Sequence, residues 1–257
     1  MKKRSTFTVV GAMILASALL LSACASSASA EKGAETAVTA QNQTEAAETV
    51  AEKDQTGENE KDPVVVTIAR GTDTVTLDPA FAGDNVDIWV DSLIFEGLVR
   101  ASEDGKEIEP CLADTWEISD DGLTYTFHLR DEAKFSDGTD VTAEDAAFSI
   151  NRSLNEGSWN SLISCIKEAK AVDEDTVEID LNNPSGSLLS CLASFICAIY
   201  PESYYSTADA DTLTKEPLGT GAFYLEEWKP DEKMILKKNP YYWETGYPLA
   251  DEIDLLV

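Results

Sequence analysis

The chain has 257 residues, with 48 acidic side chains against 19 lysines and arginines and one histidine, for a formal net charge of −29. A polymer this acidic is repelled by nucleic acid phosphates and anionic headgroups, which excludes nucleic acid as a partner and any purely electrostatic hold on a membrane. The length allows one large domain or two modest ones, either able to bury a real core.

Lys2, Lys3 and Arg4 form a basic start, and Phe7 to Leu21 is an apolar run broken only by Thr8, Gly11 and Ser17. That run is too short for a membrane-spanning helix, which needs roughly 20 residues, and suits the apolar region of a secretory signal. It ends in Leu21-Ser22-Ala23-Cys24, which resembles a bacterial lipobox. The resemblance implies cleavage after residue 23 and a lipid on the Cys24 thiol. An ordinary signal cut near Ala28 or Ala30, with Cys24 incidental, stays open. Removing residues 1–23 takes away three bases and no acid, which moves the net charge from −29 to −32. Residues 24–62 hold no aromatic side chain and almost no large aliphatic one. Such a segment buries too little to offset its ordering entropy, so it is expected to be a disordered tether of about 30–40 Å.

Order is expected from Pro63. Val64 to Ile68 is a β-branched run with the character of a buried strand. After a loop through Leu77-Asp78-Pro79, apolar residues at 86, 89, 90, 93, 94 and 98 have the spacing of an amphipathic helix. Trp116 to Ser119 and Leu123 to Leu129 are predicted strands joined by Asp120-Asp121-Gly122. Thr142 is a predicted N-cap, with Glu144 and Asp145 in the first turn of a helix reaching about Leu154. A hairpin is expected over Ile166–Val172 and Thr176–Leu181, then a buried helix over Ser187–Phe195. Phe223–Trp228 and Met234–Lys238 form another hairpin around Pro230-Asp231, and a last strand runs over Ile253–Val257. Besides Cys24 there are four cysteines, Cys111, Cys165, Cys191 and Cys197, at spacings that match no metal motif. Cys191 and Cys197 are expected on one helix, too far apart along it for a disulfide.

Gly219-Thr220-Gly221 is the one glycine-rich loop with a phosphate-binding look. A phosphate loop requires a following lysine and helix, whereas here a strand follows. The loop is expected to be a tight turn in which glycine supplies positive φ or lets another backbone approach. His128, the only histidine, sits in a strand, and no nucleophile–base pair or transition-metal ligand set assembles around it.

Ile94-Phe95-Glu96-Gly97-Leu98-Val99, Pro110 to Trp116, Asp121 to Arg130, Lys134 to Asp145, the Gly219–Gly221 loop and Asn239-Pro240-Tyr241-Tyr242-Trp243 follow one another in an order that resembles the family 5 extracellular solute-binding proteins. These are the receptors of peptide and nickel ABC importers. The likeness covers residues 63–257. Departures are small: Ala222-Phe223 where the family often has Pro-Tyr, and Cys111 in a variable slot. The resemblance implies an α/β fold of the type II periplasmic-binding-protein class, with two lobes joined by crossing strands and the ligand between them. Family members usually run to about twice this length. The expectation is therefore a first lobe with a mixed sheet and hairpins, incomplete, and a second lobe absent, the lobe that supplies an aspartate for the peptide amino terminus in peptide-binding relatives. The family places Gly83, Asp84 and Asn85 on the cleft wall, with Trp159 and the Thr220-Gly221 turn nearby. For Asp84 a plain helix-terminal acid, and for Trp159 a core residue, are the structural alternatives.

The function implied is a lipid-anchored receptor, exported to the outer face of the cell membrane or the periplasmic side. It would capture an oligopeptide and deliver it to ABC permease subunits, without a cofactor or metal, as a monomer when complete. A nickel or other small-solute receptor of the same family, an exported hydrolase and a surface adhesion lipoprotein are the alternatives.

Overall fold

The computed structural model describes residues 62–257. The signal segment, Cys24 and the tether up to residue 61 lie outside the described residues. The first strand, β1 (Val65–Ala69), pairs in parallel with the last, and helix α1 (Asn85–Ile94) follows the loop after it. A short pair, β2 (Val99–Ala101) and β3 (Ile108–Pro110), leads into the hairpin β4 (Ala113–Ile118) and β5 (Thr124–Leu129). Its turn glycine, Gly122, has φ +68°, a conformation that side chains with a Cβ resist. Helix α2 (Ala143–Glu156) begins as expected, with a reciprocal cap: the Asp145 N–H donates to the Thr142 hydroxyl and the Thr142 N–H to the Asp145 carboxylate.

The hairpin β6 (Ile166–Ala171) and β7 (Thr176–Leu181) completes a four-stranded antiparallel sheet in the order β4-β5-β7-β6. Alternate residues of β5 and β7 point into a core of Phe127, Val177 and Ile179, against which α2 sets Ala146 and Ile150. Each large apolar side chain buried this way contributes about 1.5–3 kcal/mol. Short helices α3 (Leu188–Leu192), α4 (Glu202–Tyr205) and α5 (Ala210–Lys215) then lead to β8 (Phe223–Lys229), β9 (Lys233–Lys238) and β10 (Glu252–Leu256). These join β1 in a second sheet, β1-β10-β9-β8, whose inner face packs Met234, Leu236 and Leu255 against Val90 and Ile94 of α1.

Four sequence expectations change. Strand β1 is not buried: Val64, Val65, Val66 and Ile68 are 40–50% exposed, because β1 is an edge strand paired only with β10 and the apolar cluster under this sheet draws on the other three strands. Helix α1 ends at Ile94, before Gly97, and turns two aspartates, Asp87 and Asp91, inward while Trp89 stands 68% exposed. The run after Ser187 breaks at Ala193, where α3 gives way to a 3-10 turn over Phe195–Cys197, so Cys191 and Cys197 do not share a helix. The short β2, β3, α4 and α5 lack a periodic signal and were not expected.

Candidate functional site

The loop from Leu77 to Asn85 is held at both ends. Asp78 is buried and pairs bidentately with Arg152 of α2, whose Nη1 and Nη2 donate to the two carboxylate oxygens at 2.8 and 2.6 Å. Fixed parallel donors make this pairing specific for a guanidinium. The Ser158 N–H donates to the Ala80 carbonyl at 2.9 Å, and the Trp159 indole N–H to the Ala82 carbonyl at 2.8 Å. Between these anchors and α1, Gly83, Asp84 and Asn85 are exposed. Asp84 is the N-cap of α1, yet its side chain makes no capping hydrogen bond. Its carboxylate is left to solvent. Trp159 is 38% exposed and packs edge-on against Phe195, with ring centroids 6.3 Å apart, so it is neither fully buried nor free.

Of the six residues expected at the cleft wall, the structure brings four together and leaves two elsewhere. Thr220 and Gly221 are buried at the far end of α1, about 14 Å along the helix from Asn85. The Gly221 N–H donates to the Ile94 carbonyl at 2.7 Å, and the Thr220 hydroxyl accepts from the Glu96 N–H at 3.2 Å. A Cβ on Gly221 would stand 2.5 Å from the Ile94 carbonyl carbon, so glycine is present for close approach, and neither Gly219 nor Gly221 has positive φ. The loop is a joint between α1 and β8.

Around that joint the quoted sequence motifs converge. Glu96 accepts from the Tyr242 hydroxyl at 2.9 Å and from the Trp243 indole N–H at 2.8 Å. The Asn239 side chain donates to the Gly221 carbonyl at 2.8 Å. The Arg130 guanidinium lies 3.7 Å over the Trp243 ring and pairs with Asp114, and Arg100 pairs with Glu244. Burial pushes the Glu96 carboxyl up, and the two aromatic donors partly oppose that shift. Arg100 holds Glu244 below the usual carboxylate range.

Two cavities flank these features. A groove of about 970 Å³ runs past Asp78, Phe81, Arg152, Asn155 and Tyr205. A smaller one of about 340 Å³ lies between Ser92, Phe95, Glu96, Arg100 and Phe195. Neither is lined by Gly83, Asp84, Asn85 or Trp159. Sequence reading missed Phe81, which is 42% exposed beside Arg152, and the salt bridge beneath it, because nothing local pairs residue 78 with residue 152. His128 sits in β5, 3.4 Å from the Thr176 hydroxyl, in a strand as expected. Among the described residues no group of three or more His, Cys, Asp or Glu side chains is placed to hold a metal ion.

This α/β arrangement, with two four-stranded sheets and the short β2–β3 pair, is that of type II periplasmic binding proteins. The Escherichia coli murein tripeptide binding protein MppA superposes with a TM-score of 0.69 at 28% identity, over 76% of this chain and 42% of that one. DppA from Helicobacter pylori, solved with the peptide STSA, gives 0.68 at 31% identity over 76% and 43%. In sequence, residues 107–257 match the bacterial extracellular solute-binding proteins, family 5. The chain belongs to that family. The glutathione-binding protein GsiB of Escherichia coli K12 is 32% identical over 195 residues, which are 73% of this chain and 37% of GsiB. The chain therefore spans well under half the length of these relatives.

Proposed function

We propose that this chain is the ligand-facing first-lobe part of a solute-binding lipoprotein serving an ABC importer, with an oligopeptide as its solute. Residues 1–23 are the export signal, Cys24 carries the lipid that holds so acidic a protein at the outer face of the cell membrane, residues 24–62 are the tether, and 63–257 belong to the binding domain. The solute lies against Gly83, Asp84, Asn85 and Trp159 and is passed to permease subunits. Thr220 and Gly221 keep the wall in place from behind.

The observation that carries this reading is the exposed loop Gly83–Asn85, locked from below by the Trp159–Ala82 hydrogen bond and presenting main-chain groups, a free carboxylate and a carboxamide. Those groups match a peptide main chain and its amino terminus, and an extended peptide is commonly held by backbone pairing of this kind. Pocket ligands are typically buried by about 70–90%. By that measure a chain matching 37–43% of its relatives' length is expected to cover a solute only in part and to bind it weakly by itself.

Nuclear magnetic resonance titration of the chain with tri- and tetrapeptides tests this, because it detects weak binding. Saturable shifts confined to residues 80–85 and the Trp159 indole N–H are expected. In Asp84→Ala and Asn85→Ala those shifts should need at least several-fold more peptide, with an unchanged melting temperature. Peptide or glycoside turnover, or shifts that ignore this loop, would overturn the reading.

A further inference from the structure

We infer that Cys165 and Cys191 are an oxidisable pair that closes into a disulfide, tying the turn before β6 to helix α3. Of the four cysteines described, Cys111 and Cys197 are 1% exposed and shut off from any reagent, whereas Cys165 and Cys191 are both half-buried. The Cys191 thiol donates to the Leu162 carbonyl oxygen at 3.4 Å, and Leu162 lies one turn of chain ahead of Cys165. Cys165 is itself held, since its carbonyl accepts from the Asn182 N–H at 2.8 Å. Both side chains pack against the same apolar core. Helix α3 also packs directly on the 3-10 turn Asn160–Ile163, which ends two residues before Cys165, and burial pushes the Cys191 thiol up, with Cys165 adding to that shift.

In each exchange step the thiolate is the nucleophile. Cys165 attacks a small-molecule disulfide, forming a mixed disulfide and expelling one thiolate. Cys191 then attacks the Cys165 sulfur, forming the protein disulfide and expelling the second thiolate. Two protein thiols are oxidised, the small disulfide is reduced to two thiols, and the two protons end on those leaving thiols. The bridge would tie α3 to the chain just after the 3-10 turn Asn160–Ile163, which Trp159 opens, and Trp159 in turn packs on Phe195, just past α3. Oxidation therefore stiffens the wall that presents the Trp159 indole.

The test treats the native, reduced chain with 2-hydroxyethyl disulfide and follows it by intact mass and by mapping of disulfide-linked peptides. The expected product has lost two hydrogens, carries no adduct, and yields one linked pair joining the Cys165 and Cys191 peptides. Cys165→Ser should stay unmodified or gain one adduct without a bridge, and Cys191→Ser should stop at the mixed disulfide on Cys165. The closed loop should raise the melting temperature of the wild type by about 5–10 °C, an increase absent from both variants. Two stable mixed disulfides on the wild type, unreacted thiols, or a bridge to Cys111 or Cys197 would each overturn the assignment.

Discussion

Glu96 accepts a hydrogen bond of 2.8 Å from the indole N–H of Trp243, a residue 147 positions later in the chain. This contact joins the first and last of the sequence motifs, and with the Tyr242 hydroxyl it gives each carboxylate oxygen of a half-buried acid a donor. Replacing Glu96 by Ala leaves two donors without a partner and should cost about 2–4 kcal/mol in urea unfolding. Trp243→Phe keeps the ring under Arg130 but removes one donor, and should cost about 1.5–3 kcal/mol. A Glu96→Ala chain as stable as the wild type would show that the joint contributes nothing.

The second prediction concerns Asp91, which is 1% exposed with neither carboxylate oxygen hydrogen-bonded. Burial first, then the nearby Asp87 and Asp78, push its carboxyl well above the ordinary 3.8. The folded state thus holds the proton more tightly than the unfolded chain does. Stability from this group is full below about pH 3.8 and is lost as pH rises from there toward the raised value. Asp91→Asn has no proton to lose, so it should equal the wild type near pH 4 and exceed it at pH 8. Parallel urea midpoints for the two proteins across that range would contradict a buried neutral acid.

Arg152 and Asp78 form a pair whose side chains are only 10% and 4% exposed. Removing one partner strands a buried charge, so Arg152→Leu should lower stability by about 3–5 kcal/mol. The double variant Asp78→Leu with Arg152→Leu should recover much of that loss, because no unpaired charge remains. Denaturant midpoints of the four proteins give the coupling energy directly. An additive result would mean the pair is not the anchor of the Leu77–Asn85 loop.

Gly221→Ala should destabilise by about 1–3 kcal/mol, since the new methyl meets main-chain atoms of Leu93 and Ile94, which cannot swing aside. Gly186→Ala is the matched control: no heavy atom lies within 4 Å of its added Cβ, and its melting temperature should barely move. Equal melting temperatures for the two variants would refute the close approach of β8 to α1.

The features legible from sequence alone are those that local chemistry decides. The capped start of α2, the Gly122 turn and the three hairpins follow from residue type and spacing over a few positions. The ordered motifs placed the chain in its family, and the strand after Gly221 ruled out a phosphate loop. What tertiary structure alone decided are contacts between residues far apart in the chain. Helix α1 has apolar residues at 86, 89, 90, 93 and 94, yet packing against β8 and the 73–77 loop rotates Asp87 and Asp91 inward and leaves Trp89 outside. One reason is visible: the Val75 N–H donates to the Asp87 carboxylate at 2.7 Å, and satisfying that backbone group outweighs burying an indole. Likewise β1 reads as a core strand because β-branched residues favour any sheet position, and only the strand order puts it at an edge. Thr220 and Gly221 lie apart from the Gly83–Asn85 loop, buried against Ile94, and only the fold shows this, since a glycine that admits a second backbone and one that frames a ligand are written with the same letter.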